Sequence, residues 1–326
     1  MSGPGTHELL ALVGRRTREL PFRIWGFGEG PALAGLLACT DLLQDTACEQ
    51  TVISLIEPFL RRDMLLEDHV APAEVLVGLW RRHGDDRYLS AARNWAHLVL
   101  RAPRPSAGQP QAYRPDLFGL SNLAWVDTMY SHGPGLAACG YPDEGRAITV
   151  ESCRFLQDDT GLFAHGYDVV ARRTNGVHWG RGCGWALLGI VQLSAYLQDA
   201  ELTAACSALL TALSRHEEDG RWHTVVDDPS TPLENSVPAF VAAGIWLGIR
   251  RGVVSQEHAA MASRARFAAV ASLDRADLPV SEATPVGDRR VYVSRRLGTF
   301  PWGQGPLLMA LAAEQGWAWS SEPAPR

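Results

Sequence analysis

The chain has 326 residues, 46% of them hydrophobic and 20% charged, which is ample material for a large core. Its 30 basic residues against 36 acidic ones give a formal charge of −6, which argues against nucleic acid or an anionic membrane surface as the main partner. All 30 basic residues are arginine, so Schiff-base chemistry, an internal pyridoxal aldimine and a phosphate-loop lysine are excluded.

The first ten residues carry no basic region followed by an apolar run, and the longest apolar stretch, Val237 to Ile249, is too short to span a bilayer. Six cysteines at 39, 48, 139, 153, 183 and 206 form no C-x-x-C pair and read as reduced thiols, so a cytoplasmic location is expected. Apolar residues recur every three to four positions in twelve stretches: 6–20, 31–44, 47–62, 70–83, 86–101, 122–139, 143–157, 183–198, 200–216, 236–252, 255–272 and 304–315. Asp85-Asp86, Pro142-Asp143 and Asp199 are helix-start signals. The segments between, near 102–121, 158–182, 217–235 and 273–303, are rich in Gly, Pro, Asp and Arg. Two alternating pieces within them, Arg221–Val226 and Arg290–Ser294, predict small hairpins.

Two internal repeats organise this pattern. Asp159-Thr160-Gly161-Leu162-Phe163 is echoed by Glu218-Asp219-Gly220-Arg221-Trp222, and Trp-Gly-x-Gly occurs at Trp25–Gly28, Trp179–Gly182 and Trp302–Gly305, each copy just before an apolar helix. Helices in pairs, each pair too small to bury its own apolar face, predict a toroid of six helical hairpins whose first and last members meet. The expected architecture is therefore all-α, an (α/α)6 barrel, with residues 1–326 forming one domain and short flexible termini at about 1–5 and 318–326.

The loops carry the chemistry. Glycine lets a backbone approach a ligand, a helix start offers unpaired N–H groups, and tryptophan gives a flat face for a sugar ring. Trp25, Trp179 and Trp302 are thus expected at one end of the ring, where Arg181 places a charged fork between two glycines and is followed by Trp185. Asp127, flanked by Trp125, Val126, Met129 and Tyr130, is either a helix cap or a carboxyl whose apolar company lets it hold a proton near neutrality. Asp68 stands just before another apolar helix and admits the same two readings. Two carboxylates facing each other across a mouth are the arrangement that acid/base sugar chemistry needs. His165 and His178 add polar groups to these loops. His132, His165 and His178 lack metal-ligand spacing, so no metal is expected. Cys183, at a helix start that would lower its pKa, is a weaker alternative as a nucleophile.

Taken together, these residues resemble the unsaturated glycuronyl and rhamnogalacturonyl hydrolases, glycoside hydrolase families 88 and 105. The resemblance runs from Ile24–Gly35 through the Asp68 segment, Ala124–Tyr130, Gly161–Asp168, His178–Trp185 and Leu233–Ser236 to Trp302–Ala310. It implies an (α/α)6 barrel and a reaction without metal or cofactor, in which an aspartate protonates the C4=C5 double bond of an unsaturated uronic acid and helps water add at C5. By motif position it implies Asp127 as general acid/base and Asp68 as its partner carboxylate. It also implies a sugar subsite lined by His165, Trp179, Arg181 and Trp185, with Arg181 meeting the substrate carboxylate. His132, Trp25 and Trp302 complete the expected binding residues around a small-molecule substrate, a sugar acid or related enol ether. The chain departs from the family at Cys183, where Asn is usual, and is somewhat short. The composition leaves two alternatives: a repurposed barrel acting on another alkene or enol ether in a biosynthetic pathway, and a non-catalytic carbohydrate-binding toroid. Oligomeric state is not legible.

Overall fold

The structure is a computed structural model that describes residues 5–22, 26, 28–103, 110–319 and 323–324. Six inner helices, α2 (Glu29–Leu43), α4 (Ala73–His83), α6 (Thr128–Ala138), α8 (Gly180–Leu193), α10 (Ser236–Arg250) and α13 (Pro301–Glu314), pack each against the next, and α13 closes on α2. Six outer helices, α1 (Thr6–Arg18), α3 (Thr46–Ile56), α5 (Asp86–Arg101), α7 (Pro142–Leu156), α9 (Ala200–Arg215) and α11 (Ala259–Ala271), surround them. The result is the expected (α/α)6 toroid.

The sequence sorts helices into these two rings through burial. Inner helices are more completely covered, every residue of α8 being buried, so their sequences are mostly apolar, with charge confined to ends such as Arg81-Arg82-His83 of α4. Outer helices keep one wet face; α5 buries Tyr88, Leu89, Ala92, Trp95, Ala96 and Val99 at helical spacing. Asp85 and Asp199 do cap their helices, accepting from the backbone N–H of Arg87 and Leu202. The closing seam is tight. A Cβ on Gly305 would stand 2.3 Å from the backbone nitrogen of Ala32, so glycine is what lets α13 and α2 touch.

Several expectations are corrected. The stretch 122–139 is not one helix: Leu123–Trp125 is strand β1, paired antiparallel with β2 (Gly166–Asp168), which pairs with β3 (Arg173–Thr174). The predicted hairpin at 290–294 is instead a short helix, α12 (Arg289–Val293), capped by Asp288. A hairpin does form nearby, between β4 (Pro279–Ser281) and β5 (Leu297–Thr299). The piece at 221–226 makes only isolated bridges, Trp179 to Val225 and His223 to Leu233. Pro58 ends α3 early in a 3-10 turn, and a second 3-10 turn, Leu66–Val70, precedes α4. The second and third Trp-Gly-x-Gly copies lie in the first helical turn rather than before it, with Trp179 at the cap of α8 and Trp302 inside α13.

Described residues near the carboxyl end pack on the ring. The Trp317 indole donates to Asp41 at 2.9 Å, Trp319 lies over Gly78, and the Ala324 backbone N–H bonds Ala138. The repeat at Gly161 and Gly220 is structural. Both glycines take positive φ (+90° and +79°) in a tight turn, and each backs onto a carbonyl of an outer helix, Ala208 or Arg264. Among the described residues no helix is long and apolar enough to cross a membrane.

Candidate active site

The small strands and the first turns of α6 and α8 gather at one face of the ring. β1 runs directly into Asp127. The Val126 N–H bonds the His165 carbonyl, the His165 N–H bonds the Val177 carbonyl, and the Gly180 N–H bonds the Thr224 carbonyl. Asp127, His165 and Trp179 therefore sit on backbones stitched to one another.

Asp127 occupies the cap position of α6 yet makes no cap bond. Its Oδ2 instead meets His165 Nε2 at 3.1 Å, and His165 Nδ1 meets the Tyr292 hydroxyl at 2.8 Å. Capping, the simpler reading of this aspartate, is thereby excluded. The surroundings are aromatic. The Trp179 ring lies 4.3 Å from His165, and Trp125 stacks on Tyr113 at 4.2 Å with the planes 9° apart. Burial, then the Asp127 charge, and to a lesser extent Glu29, push the half-buried Tyr113 phenol well up. His69 packs edge-on against Tyr113 and bonds His132 at 3.1 Å. Burial, then the charges of His132 and Arg114, hold His69 well below the ordinary histidine value.

Arg181 is fully buried, its guanidinium 4.5 Å over the Trp179 ring. Its Nη1 donates to the carbonyl and hydroxyl of Ser281, its Nη2 to the Glu282 carbonyl at 3.0 Å, and Glu234 lies 3.7 Å away. Burial depresses its pKa, with Glu234 and Asp127 opposing. Arg181 thus anchors the β4 strap to the site, and among the described residues its Nε alone finds no partner. The indole N–H groups of Trp125 and Trp179 are likewise buried and unpaired. Each such orphan donor costs about 1–3 kcal/mol until an acceptor arrives. Trp302 donates to the same Ser281 carbonyl at 2.9 Å, and a Cβ on Gly28 would strike its ring, so the first and third Trp-Gly-x-Gly copies do meet.

Other expected residues fall elsewhere. Asp68 is buried, but both its oxygens are taken by Arg62 at 2.6 and 2.7 Å and by the Leu65 N–H at 2.7 Å. It fixes the 3-10 turn from which His69 reaches toward Tyr113, rather than presenting an open carboxylate opposite Asp127. Trp185 is core, fully buried between Tyr130 and Phe240. His178 lies between Asp158 and Asp227, 2.8 Å from each, and ties the loop before α8 to its neighbours. The Cys183 thiol, pushed up to about 12 by burial, is not a nucleophile, contrary to what its helix start suggests. Trp25 lies outside the described residues. Sequence reasoning missed Tyr113, His69, Tyr292 and Asn175. Only His69 adjoins a motif, next to Asp68, and Tyr292 reaches His165 across 127 positions of chain. Among the described residues no group of three His, Cys, Asp or Glu side chains is placed to hold a metal.

An (α/α)6 toroid with a buried Asp–His pair among aromatic rings at the start of an inner helix defines a class of sugar-processing barrels. The sequence pattern of Glycosyl Hydrolase Family 88 matches residues 15–314, and the chain belongs to that family. It is 28% identical to the unsaturated rhamnogalacturonyl hydrolase YesR of Bacillus subtilis, over 91% of each chain. Among solved structures it resembles a possible family 105 member from Klebsiella pneumoniae, with a TM-score of 0.84, 22% identity and coverage of 96% of this chain and 95% of that one. It also resembles the unsaturated glucuronyl hydrolase of Bacillus sp. GL1, with a TM-score of 0.75, 18% identity and coverage of 93% and 94%.

Proposed function

We propose that this glycoside hydrolase acts on a small oligosaccharide ending in an unsaturated uronic acid, hydrating the C4=C5 double bond so that the adjacent sugar is released. The observation that carries the reading is Asp127. It stands at a helix start, leaves the cap unmade and turns its carboxyl to His165 among aromatic faces. The vinyl ether of such a uronate is electron-rich at C4. A protonated Asp127 delivers its proton there, leaving oxocarbenium character at C5. Water adds at C5 and gives its proton back to the Asp127 carboxylate. The C5 hemiketal then opens to a ketone, and the freed anomeric centre expels the neighbouring sugar.

Binding follows from the unmet donors. The buried N–H groups of Arg181, Trp125 and Trp179 ask for oxygen atoms, which a uronate supplies. Tyr113 offers a ring face, while Trp179, buried under His165 and Arg181, backs the site together with Trp302 and His132. Asp68, held by Arg62 and the Leu65 N–H, supports the 3-10 turn and stays out of the chemistry. A cytoplasmic location goes with this reading, supported by six cysteines that are all buried as free thiols. The test is to mix the enzyme with a lyase digest of an acidic polysaccharide and follow the ultraviolet band of the conjugated uronate. Loss of the band with release of a saturated sugar is expected; a band that persists at high enzyme concentration overturns the proposal.

A further inference from the structure

Behind His165 lies a polar chain that the reaction as written does not use. Asn175 and Tyr292 come from separate segments, the β3 turn and α12, and meet above the His165 ring. The direction of every hydrogen bond in this chain can be worked out from its ends. The Gly166 N–H can only donate, and it meets Asn175 Oδ1 at 3.2 Å, so that atom is the oxygen. The Gly287 carbonyl can only accept, and it meets Asn175 Nδ2 at 2.9 Å, so one amide proton goes there. The second amide proton points to the Tyr292 hydroxyl oxygen, also at 2.9 Å. The phenol oxygen thus accepts from Asn175. Its own proton has one acceptor within reach among the described residues, His165 Nδ1 at 2.8 Å. Tyr292 is 1% exposed, so a hydroxyl proton left without an acceptor would be costly.

We infer that Asn175 and Tyr292 are positioning residues which lock His165 in the Nε2–H tautomer, so that it donates to Asp127 Oδ2 and leaves Oδ1 as the oxygen that carries the catalytic proton. The opposite tautomer would set the Nε2 lone pair against the Asp127 carboxylate, or draw the acid's proton onto the Oδ2–His165 contact and away from substrate. No hydrogen bond reaches Oδ1 among the described residues, which leaves that oxygen for the reacting carbon. The Asn175–Tyr292–His165–Asp127 chain therefore decides which oxygen is the acid. This assignment builds on the acid/base role proposed for Asp127, but the tautomer itself is a property of the free protein.

The experiment uses protein labelled with 15N at histidine. The His165 ring signals are identified by their loss in His165→Gln, and the tautomer is read from one-bond and two-bond couplings without substrate. The wild type is expected to show a proton on Nε2 and none on Nδ1. In Tyr292→Phe the Nδ1 acceptor loses its donor and the two tautomers mix. With an unsaturated uronide, kcat falls roughly 10–100-fold while KM stays within about twofold, because an orienting partner rather than a binding group is lost. If Tyr292→Phe does not fold, Asn175→Ala tests the same point, since it frees the tyrosine hydroxyl to turn from His165. A proton on Nδ1 in the wild type overturns the inference, as does an unchanged tautomer with unchanged kcat in the variants. Absence of uronide activity in the wild type, with the Nε2–H tautomer present, would count against the proposed reaction and leave the tautomer assignment standing.

Discussion

Asp127 and Asp68 look alike in sequence: each is an aspartate just ahead of an inner helix. The structure treats them in opposite ways. Asp68 makes three short bonds, to the Arg62 guanidinium and the Leu65 N–H, and stabilises a turn. Asp127 forgoes the cap it is placed to make and bonds a histidine instead. A carboxylate whose acceptor sites are filled by the fold is a structural element. One whose helix is left uncapped is held for something else. Glu74, the second residue of α4, is a third case. It is buried, among the described residues only the Tyr196 hydroxyl bonds it, at 3.3 Å, and burial raises its pKa to about 7 against the partial opposition of Arg251.

The strongest way to break this comparison is Asp127→Asn. It should lower kcat by about 10²–10⁴, with a stability change within roughly 0.5 kcal/mol, measured by uronide turnover and thermal melting. A drop in melting temperature with normal turnover would return Asp127 to capping. Glu74 sharpens the contrast through pH. The unfolded chain releases the Glu74 proton in the ordinary carboxylate range, near 4.5, and the folded chain at about 7. Between these values the folded state alone holds the proton, so stability falls as pH rises across that window. The loss is roughly 3 kcal/mol at most. Melting curves from pH 4 to 8 should show this slope in the wild type and lose it in Glu74→Gln.

Asp68→Ala should cost stability rather than chemistry, about 1–2 kcal/mol from the lost cap and ion pair. Chemical denaturation measures the first and turnover of the folded fraction the second. A kcat loss as deep as that of Asp127→Asn would show that both aspartates handle the proton. The smallest effect is expected from Cys183→Ala. Kinetics should stay within about twofold, with roughly 1 kcal/mol of stability lost for a small core void.

What the sequence made legible followed from burial. Helices covered on all sides spell themselves as long apolar runs, and hairpin pairing showed in their spacing, so the ring could be read before any coordinates. Asp127, His165 and Trp179 were legible because they sit in short motifs at helix starts. Trp185 was misplaced because a tryptophan after two glycines reads the same whether it faces a ligand or the core; only its contacts with Tyr130 and Phe240 decide. The sequence reads Arg181 as a fork for a substrate carboxylate, and its engagement by Ser281 and Glu282, a hundred residues on, has no local signature. Tyr292 was hidden because 290–294 alternates like a strand but is a capped helical turn, and a relay assembled from distant loops leaves no periodic trace.

The central claim, that Asp127 hands a proton to C4, is tested most directly by running the reaction in D2O and examining the product by NMR at early times. The account predicts one deuterium at C4, on a single face, in a product that has lost its double bond, and none formed by Asp127→Asn. A released uronic acid that keeps its C4=C5 bond and carries no deuterium at C4 would contradict it.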